Sequence, residues 1–245
     1  MIFDKIEKFI FPNRCIICDE VLPYGEKLSD RFLCDNCRGQ LEYIKEPTCK
    51  KCGAMISDNE DKYCMRCNED FHKNYEFGFG LLRYNDYVRT SLHKIKYERR
   101  KEYLYFYGKM IAKMFHNKFR KISADCLIPV PIHKSRLRER NFNQSSILAN
   151  VISESLSEYD IDLPVNENII FRDKKTEVLN KYSKEERVSI LNDAFTVNST
   201  PYIEKAIIVD DIYTTGSTID NIAKKLKTAG IEKIYFVAIS IVDNL

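Results

Sequence analysis

The 245-residue chain has no apolar run long enough to cross a bilayer. Its longest, Ile234 to Val242, is strand-length and already contains Ser240. A membrane-spanning helix is therefore excluded as an organising feature. The chain also lacks low-complexity stretches and internal repeats beyond short cysteine pairs, which excludes solenoids and repeat arrays. It has no charged n-region followed by an apolar h-region. Met1 to Phe11 alternates charged and apolar residues, and so reads as a short amphipathic helix rather than a signal peptide. These absences lead us to expect a cytoplasmic protein. A strong net charge is missing too, at +3, but that figure conceals an asymmetry. Residues 83 to 121 hold 12 Lys/Arg against 3 Asp/Glu, while residues 1 to 75 hold 12 against 14.

What the chain has in quantity is cysteine. Eight of nine lie in Cys-x-x-Cys pairs: Cys15/Cys18, Cys34/Cys37, Cys49/Cys52 and Cys64/Cys67. Two residues between paired thiols let both sulfurs point into one tetrahedral site, and a second pair from the far arm of a hairpin completes it. Eight thiolates satisfy two zinc ions, leaving only Cys126, in the apolar run Cys126-Leu127-Ile128. Disulfides are the competing reading, since small secreted domains also concentrate cysteine. Without a signal peptide, zinc is favoured. Neighbouring pairs are expected to share a metal, because each spacing closes one ribbon, with interleaved pairing left open.

The zinc module is expected over residues 1–72 and a second domain over 73–245. About 170 residues suffice for one ordinary core but not two. Hydrophobic content of 44% and charged content of 31% describe a folded protein. Strands alternate with helices along this second part, the pattern of an α/β domain with a mainly parallel sheet. Extended structure is expected over 76–84, then a short helix with Val88, Leu92 and Ile95 on one face. A longer helix over 102–119 places Leu104, Tyr107, Ile111, Met114 and Phe115 at helical spacing. A strand ends in Ile128-Pro129-Val130-Pro131, and a basic loop follows. Next comes a helix with Leu148, Val151, Ile152 and Leu156. Short strands at 168–171 and 194–197 bracket a polar stretch long enough to be a mobile loop. The final unit is strand 206–211, helix 217–229, a stop at Gly230, and strand 233–242.

The junction inside that unit reads Ile207-Ile208-Val209-Asp210-Asp211-Ile212-Tyr213-Thr214-Thr215-Gly216-Ser217-Thr218. An apolar strand delivers two adjacent carboxylates to the sheet's C-terminal edge, where open α/β sheets bind ligands. A hydroxyl-rich turn then opens a helix, whose N-terminus offers unpaired N–H groups and partial positive charge to an anion. Carboxylates suit sugar hydroxyls and the turn suits a phosphate, so together they fit a ribose 5-phosphate. The plainer reading is an ordinary helix cap in which the acids merely terminate the turn.

At these residues the chain looks like a type I phosphoribosyltransferase. Taken with the cysteine pairs, it resembles the ComF family, in which a zinc-ribbon module precedes a type I phosphoribosyltransferase-like domain. The shared elements include Ile95-Lys96-Tyr97, Pro129-Val130-Pro131-Ile132-His133, and the block from Arg136 to Gln144. The resemblance implies a parallel sheet flanked by helices. It also implies binding of phosphoribosyl pyrophosphate, with Asp210 and Asp211 on the ribose hydroxyls and Thr214, Thr215, Gly216, Ser217 and Thr218 around the 5-phosphate. His133, Arg136, Arg138 and Arg140 would lie near the pyrophosphate, and Mg²⁺ would enter with that ligand. The family's role implies involvement in moving single-stranded DNA during natural transformation. The chain departs from the family at Asn141, which stands in a glycine position and is tolerable there because Asn accepts positive φ. It departs again at Leu179 and Ile190, where Gln and Asn are common, while Thr176, Arg187, Ala194 and Phe195 fit. Arg172 and Arg187 are further ligand candidates.

Two function classes remain. An active phosphoribosyltransferase would need a pocket for a nitrogen nucleophile, and no motif supplies one; the segments after Tyr213 and over 237–241 are only generic candidates to flank a base. A strand-binding surface is the other class. Arg89, Lys94, Lys96, Arg99, Arg100 and Lys101, interleaved with Tyr87, Tyr97, Tyr103, Tyr105 and Tyr107, suit phosphate neutralisation and base stacking on single-stranded DNA. The same charges also suit a solvated face, and Tyr107 belongs to an expected core face. The zinc module suits docking to a helicase or another DNA-uptake component, or a purely structural role.

Overall fold

The computed structural model describes residues 12–23, 32–57, 62–69, 73–173, 194–198 and 202–243. The amphipathic segment expected over 1–11, and Thr176, Leu179, Arg187 and Ile190, lie outside them.

Among the described residues, the zinc module carries two short helices, α1 (Asp35–Arg38) and α2 (Met65–Glu69), each beginning beside the first cysteine of a pair. The larger part then runs β1 (Gly78–Arg83), α3 (Asp86–Tyr97), α4 (Tyr103–Ile122), β2 (Cys126–Pro129), α5 (Lys134–Arg140), α6 (Gln144–Ser157), β3 (Ile170–Arg172), β4 (Phe195–Val197), β5 (Lys205–Tyr213), α7 (Ser217–Thr228) and β6 (Lys233–Ile241). Four strands form a sheet in the order β1-β6-β5-β2. All its pairings are parallel, as expected for strands joined through helices. β3 and β4 make a separate antiparallel pair.

Local chemistry explains the elements. The Asn85 side chain accepts from the backbone N–H of Val88 at 3.0 Å and starts α3, which buries Val88, Leu92 and Ile95. α4 ends at Ser123 in the left-handed region and buries Leu104, Tyr107 and Ile111; Met114, expected on that face, is instead exposed. Gly108 lets α4 meet α6 closely, since a Cβ there would stand 2.6 Å from Val151 Cγ1. The basic segment expected as a loop is the helix α5. The His133 side chain accepts from Ser135 N at its start, and Asn141 at φ 66 closes it with an N–H to Leu137 O at 2.8 Å. Dense charge around a single leucine hides that helix from a periodicity reading.

The sheet buries both faces. One apolar cluster joins Cys15, Ile16, Leu33 and Cys37 to α3, α4, α6 and the residues Ile207, Val209, Val237 and Ile239. The other joins Cys49, Cys52, Ala54 and Cys67 to Tyr75, α7 and the residues Ile208, Ile234, Phe236 and Ala238. The zinc module therefore straddles the sheet, giving one half to each face. Between the halves it covers the β1 edge: Tyr43 bridges Leu82, Ile44 N donates to Leu81 O at 3.0 Å, and Arg83 N donates to Glu42 O at 2.8 Å.

Candidate ribose-phosphate site and zinc clusters

The thiols of Cys15, Cys18, Cys34 and Cys37 gather in one group, and those of Cys49, Cys52, Cys64 and Cys67 in another, with ligand atoms within 4.8 Å of one another. Neighbouring pairs thus share a site, and interleaving is ruled out. Across the pairs, Cys18 Sγ lies 3.7 Å from Cys34 Sγ and Cys52 Sγ lies 3.6 Å from Cys64 Sγ. A tetrahedral zinc with bonds of about 2.3 Å requires sulfurs about 3.8 Å apart, so both groups fit the ion. Hydrogen bonds from Cys52, Cys64 and Cys67 pull the Cys49 thiol far down, while that same pairing drives Cys52 up. Four thiolates so close repel one another, and a dication resolves that conflict.

β5 carries Asp210 and Asp211 to its C-terminal end, buried at 9% and 6% exposure. Asp210 Oδ1 accepts from Ser145 Oγ at 3.3 Å, in the first turn of α6, and from the N–H of Asp211 at 2.8 Å. Burial first, then the charge of Asp211, pushes the Asp210 carboxyl up to about 8. The Lys96 ammonium, from the last turn of α3, stands 2.5 Å from Asp211 Oδ2. Burial therefore favours the protonated form of Asp210, and the Lys96 ammonium is the cation beside Asp211.

β5 continues through Tyr213, two residues beyond the expected end. Gly216 takes φ +79, and a Cβ there would stand 2.4 Å from the Tyr213 hydroxyl, so the turn requires glycine both for conformation and for space. Thr215 Oγ1 meets Ser217 Oγ at 2.8 Å, and α7 opens at Ser217. Thr214 and Thr215 are exposed, Ser217 and Thr218 half-buried. The hydroxyls line an accessible turn at a helix N-terminus.

His133 caps α5 with its ring nitrogen, 2.8 Å from Ser135 Oγ. Arg136 and Arg138 are exposed on α5, whereas Arg140 is buried, reaching Gln144 Oε1 at 3.1 Å and packing its guanidinium 5.4 Å from the Tyr97 ring centroid. Arg140 Nε has no hydrogen-bond partner among the described residues. Burial and the nearby Arg136 lower the proton affinity of Arg172, and Asp210 opposes them. Of the expected basic surface, Arg89, Arg99 and Lys101 are exposed and Lys94 is half-buried. Arg89 pairs with Asp86 at 3.1 Å, and Arg100 pairs with Asp19 at 2.7 Å. Tyr87, Tyr97 and Tyr105 are exposed, while Tyr103 and Tyr107 are buried and bonded to Asp19 and Ser91. Residues 237–241 are fully buried and cannot flank a base, whereas Thr214 and Thr215, directly after Tyr213, are exposed.

Sequence reasoning assigned Lys96 to the basic surface and did not find its place on Asp211. It also missed Ser145, and Arg66, Asn74 and Tyr75 around the turn. Only Ser145 left a signal, through its position directly after the Asn143-Gln144 block.

A double zinc ribbon domain model matches residues 6–68, which span both cysteine clusters. Competence protein F of Haemophilus influenzae is 26% identical over 227 residues, covering 83% of this chain and 94% of that one. Competence protein ComFC of Bacillus subtilis is 26% identical over 241 residues, covering 88% and 89%. The chain is therefore ComF-like across both modules. A solved adenine phosphoribosyltransferase aligns over 70% of this chain and 84% of its own, at a TM-score of 0.38 and 13% identity.

Proposed function

We propose that this ComF-like protein binds phosphoribosyl pyrophosphate and takes part in single-stranded DNA uptake during natural transformation. The observation that carries the ligand reading is the adjacency of two buried carboxylates to a glycine turn that opens α7. Asp210 and Asp211 would take the ribose hydroxyls, and Thr214 to Thr218 the 5-phosphate. The pyrophosphate would then extend toward Arg136, Arg140 and Arg172, with Mg²⁺ arriving on the ligand. The names of the curated relatives support the role in competence. Arg89, Lys94, Arg99 and Lys101, with Tyr87, Tyr97 and Tyr105, form the surface to which we assign the strand, and the zinc module remains available to a helicase or uptake partner.

The burial of residues 237–241 removes one of the two generic sites for a nucleobase acceptor, which favours binding over turnover. The enzyme alternative predicts pyrophosphate release on addition of a base or amine.

Thermal unfolding with phosphoribosyl pyrophosphate and Mg²⁺ tests the ligand reading. At 100 times its dissociation constant a ligand stabilises the native state by about 2.7 kcal/mol. The wild type should shift, and a variant carrying Asp210→Asn and Asp211→Asn should not. Equal shifts in both proteins would exclude the acids from the site.

A further inference from the structure

The second zinc ribbon, through Arg66, and the segment that follows it, through Asn74 and Tyr75, support the phosphate turn at three points. Before the turn, Arg66 Nη1 donates to the Thr214 carbonyl. Beneath it, the Tyr75 hydroxyl meets the Tyr213 hydroxyl at 2.8 Å, and the Tyr213 ring fills the space where a Gly216 Cβ would stand. That ring is fixed in turn by stacking on Phe236, with centroids 4.6 Å apart and planes at 4°. After the turn, the backbone N–H and the side-chain amide of Asn74 both donate to Asp220 Oδ1, at 2.6 and 3.0 Å, in the first turn of α7. The ribbon itself sits tightly on the sheet, since a Cβ on Gly53 would stand 2.6 Å from Gly78 O.

We propose that Arg66, Asn74 and Tyr75 are positioning residues of the ribose-phosphate site, so that zinc at Cys49, Cys52, Cys64 and Cys67 and an anion on the 214–218 turn bind with positive coupling. The inference rests on reading that turn as a phosphate site. Arg66 lies between two zinc ligands, Cys64 and Cys67, on the single helical turn of α2, so its backbone is held in place by the metal on both sides. A ligand that orders the turn strengthens the same contacts from the other end, and coupling between two binding events is reciprocal. The first cluster supplies an internal control. Its neighbour Asp19 bonds to Arg100 and Tyr103, on the opposite face of the sheet from α7.

The test follows zinc transfer from the full-length, zinc-loaded protein to excess 4-(2-pyridylazo)resorcinol, with and without ribose 5-phosphate. We expect two release phases, one of which saturating ribose 5-phosphate slows roughly tenfold while the other is unchanged. Arg66→Met should keep both zinc ions, lose that protection, and bind ribose 5-phosphate more weakly by calorimetry. Tyr75→Phe, nearly isosteric, should lose part of the protection with its fold intact. Calorimetry on the wild type separates the two levels of the claim. If ribose 5-phosphate binds yet slows neither phase, or slows both equally, the coupling is refuted and the phosphate site stands. Full protection in both variants refutes the roles of Arg66 and Tyr75. If ribose 5-phosphate does not bind, the phosphate reading fails and takes this inference with it.

Discussion

Replacing Asp210 with Asn should stabilise the ligand-free protein, and more so as pH rises. Burial and the neighbouring Asp211 push the Asp210 carboxyl up to about 8 in the folded chain, against 3.8 for a free carboxyl. Between those values the native state holds a proton that the unfolded chain releases. Stability from this group is thus fully present below the unfolded pKa and is lost as pH rises through the folded one. Each pH unit well inside that window costs about 1.4 kcal/mol and the slope halves at the folded pKa, so from pH 6 to pH 8 the wild type loses about 2 kcal/mol through this residue. In Asp210→Asn the amide oxygen still accepts from Ser145 Oγ and the Asp211 N–H, and no charge is left to desolvate. For a chain of this size about 1 kcal/mol moves Tm by about 2–4 °C. The Tm advantage of the variant should therefore widen by roughly 4–8 °C between pH 6 and pH 8, measured by circular dichroism without Mg²⁺ or phosphates. A Tm difference that stays constant across this range would refute a protonated Asp210.

Lys96→Met leaves Asp211 buried without its partner and should cost about 3 kcal/mol in chemical denaturation. Adding Asp211→Asn should recover part of that loss; strict additivity of the two substitutions would show that the ion pair contributes no coupling energy. Gly216→Ala forces an alanine to φ +79 and a methyl against the Tyr213 hydroxyl. It should destabilise by about 2 kcal/mol and abolish the shift with phosphoribosyl pyrophosphate, whereas an unchanged shift would show that the turn does not carry the phosphate.

The parts of the site that were legible in the sequence are those whose chemistry is local. Cys-x-x-Cys spacing announces its own ligand geometry, and nearness in sequence paired Cys15/Cys18 with Cys34/Cys37 correctly. The apolar run into Asp210 and Asp211, then Gly216, places strand, acids and helix start with no tertiary information. The sheet order was not legible, because alternating strands and helices imply parallel pairing without saying that β6 and β5 lie between β1 and β2. Lys96 shows the same limit for a single residue. On α3 it looks like its neighbour Lys94, and only the approach of α3 to the end of β5 makes it the counterion of Asp211. Arg66 and Tyr75 sit 148 and 138 residues away in sequence from the groups they meet, so no local pattern could announce them.

The boundary between the two modules marks a change of composition, yet the folding core runs across it. Ile16, Ile17, Leu22, Leu33 and Leu41 are all buried in the cluster formed with α3, α4 and α6, and Cys49, Cys52 and Cys67 belong to the cluster on the α7 face. Removing residues 1–72 would expose the receiving surfaces on both sides of the sheet and uncover the β1 edge. Burying a side chain of leucine or isoleucine size is worth about 1.5–3 kcal/mol, so those five alone account for about 10 kcal/mol. That equals the whole net stability of a typical domain, about 5–15 kcal/mol. A fragment of residues 73–245 should consequently fail to unfold cooperatively and should aggregate through the uncovered strand. Cooperative melting of the fragment near the wild-type Tm would show that the zinc module is an appendage. If instead the fragment is unstable, the zinc ions support the ligand site partly by completing the core on which it stands, and deletion of the module cannot isolate any separate role it has in binding DNA or a partner.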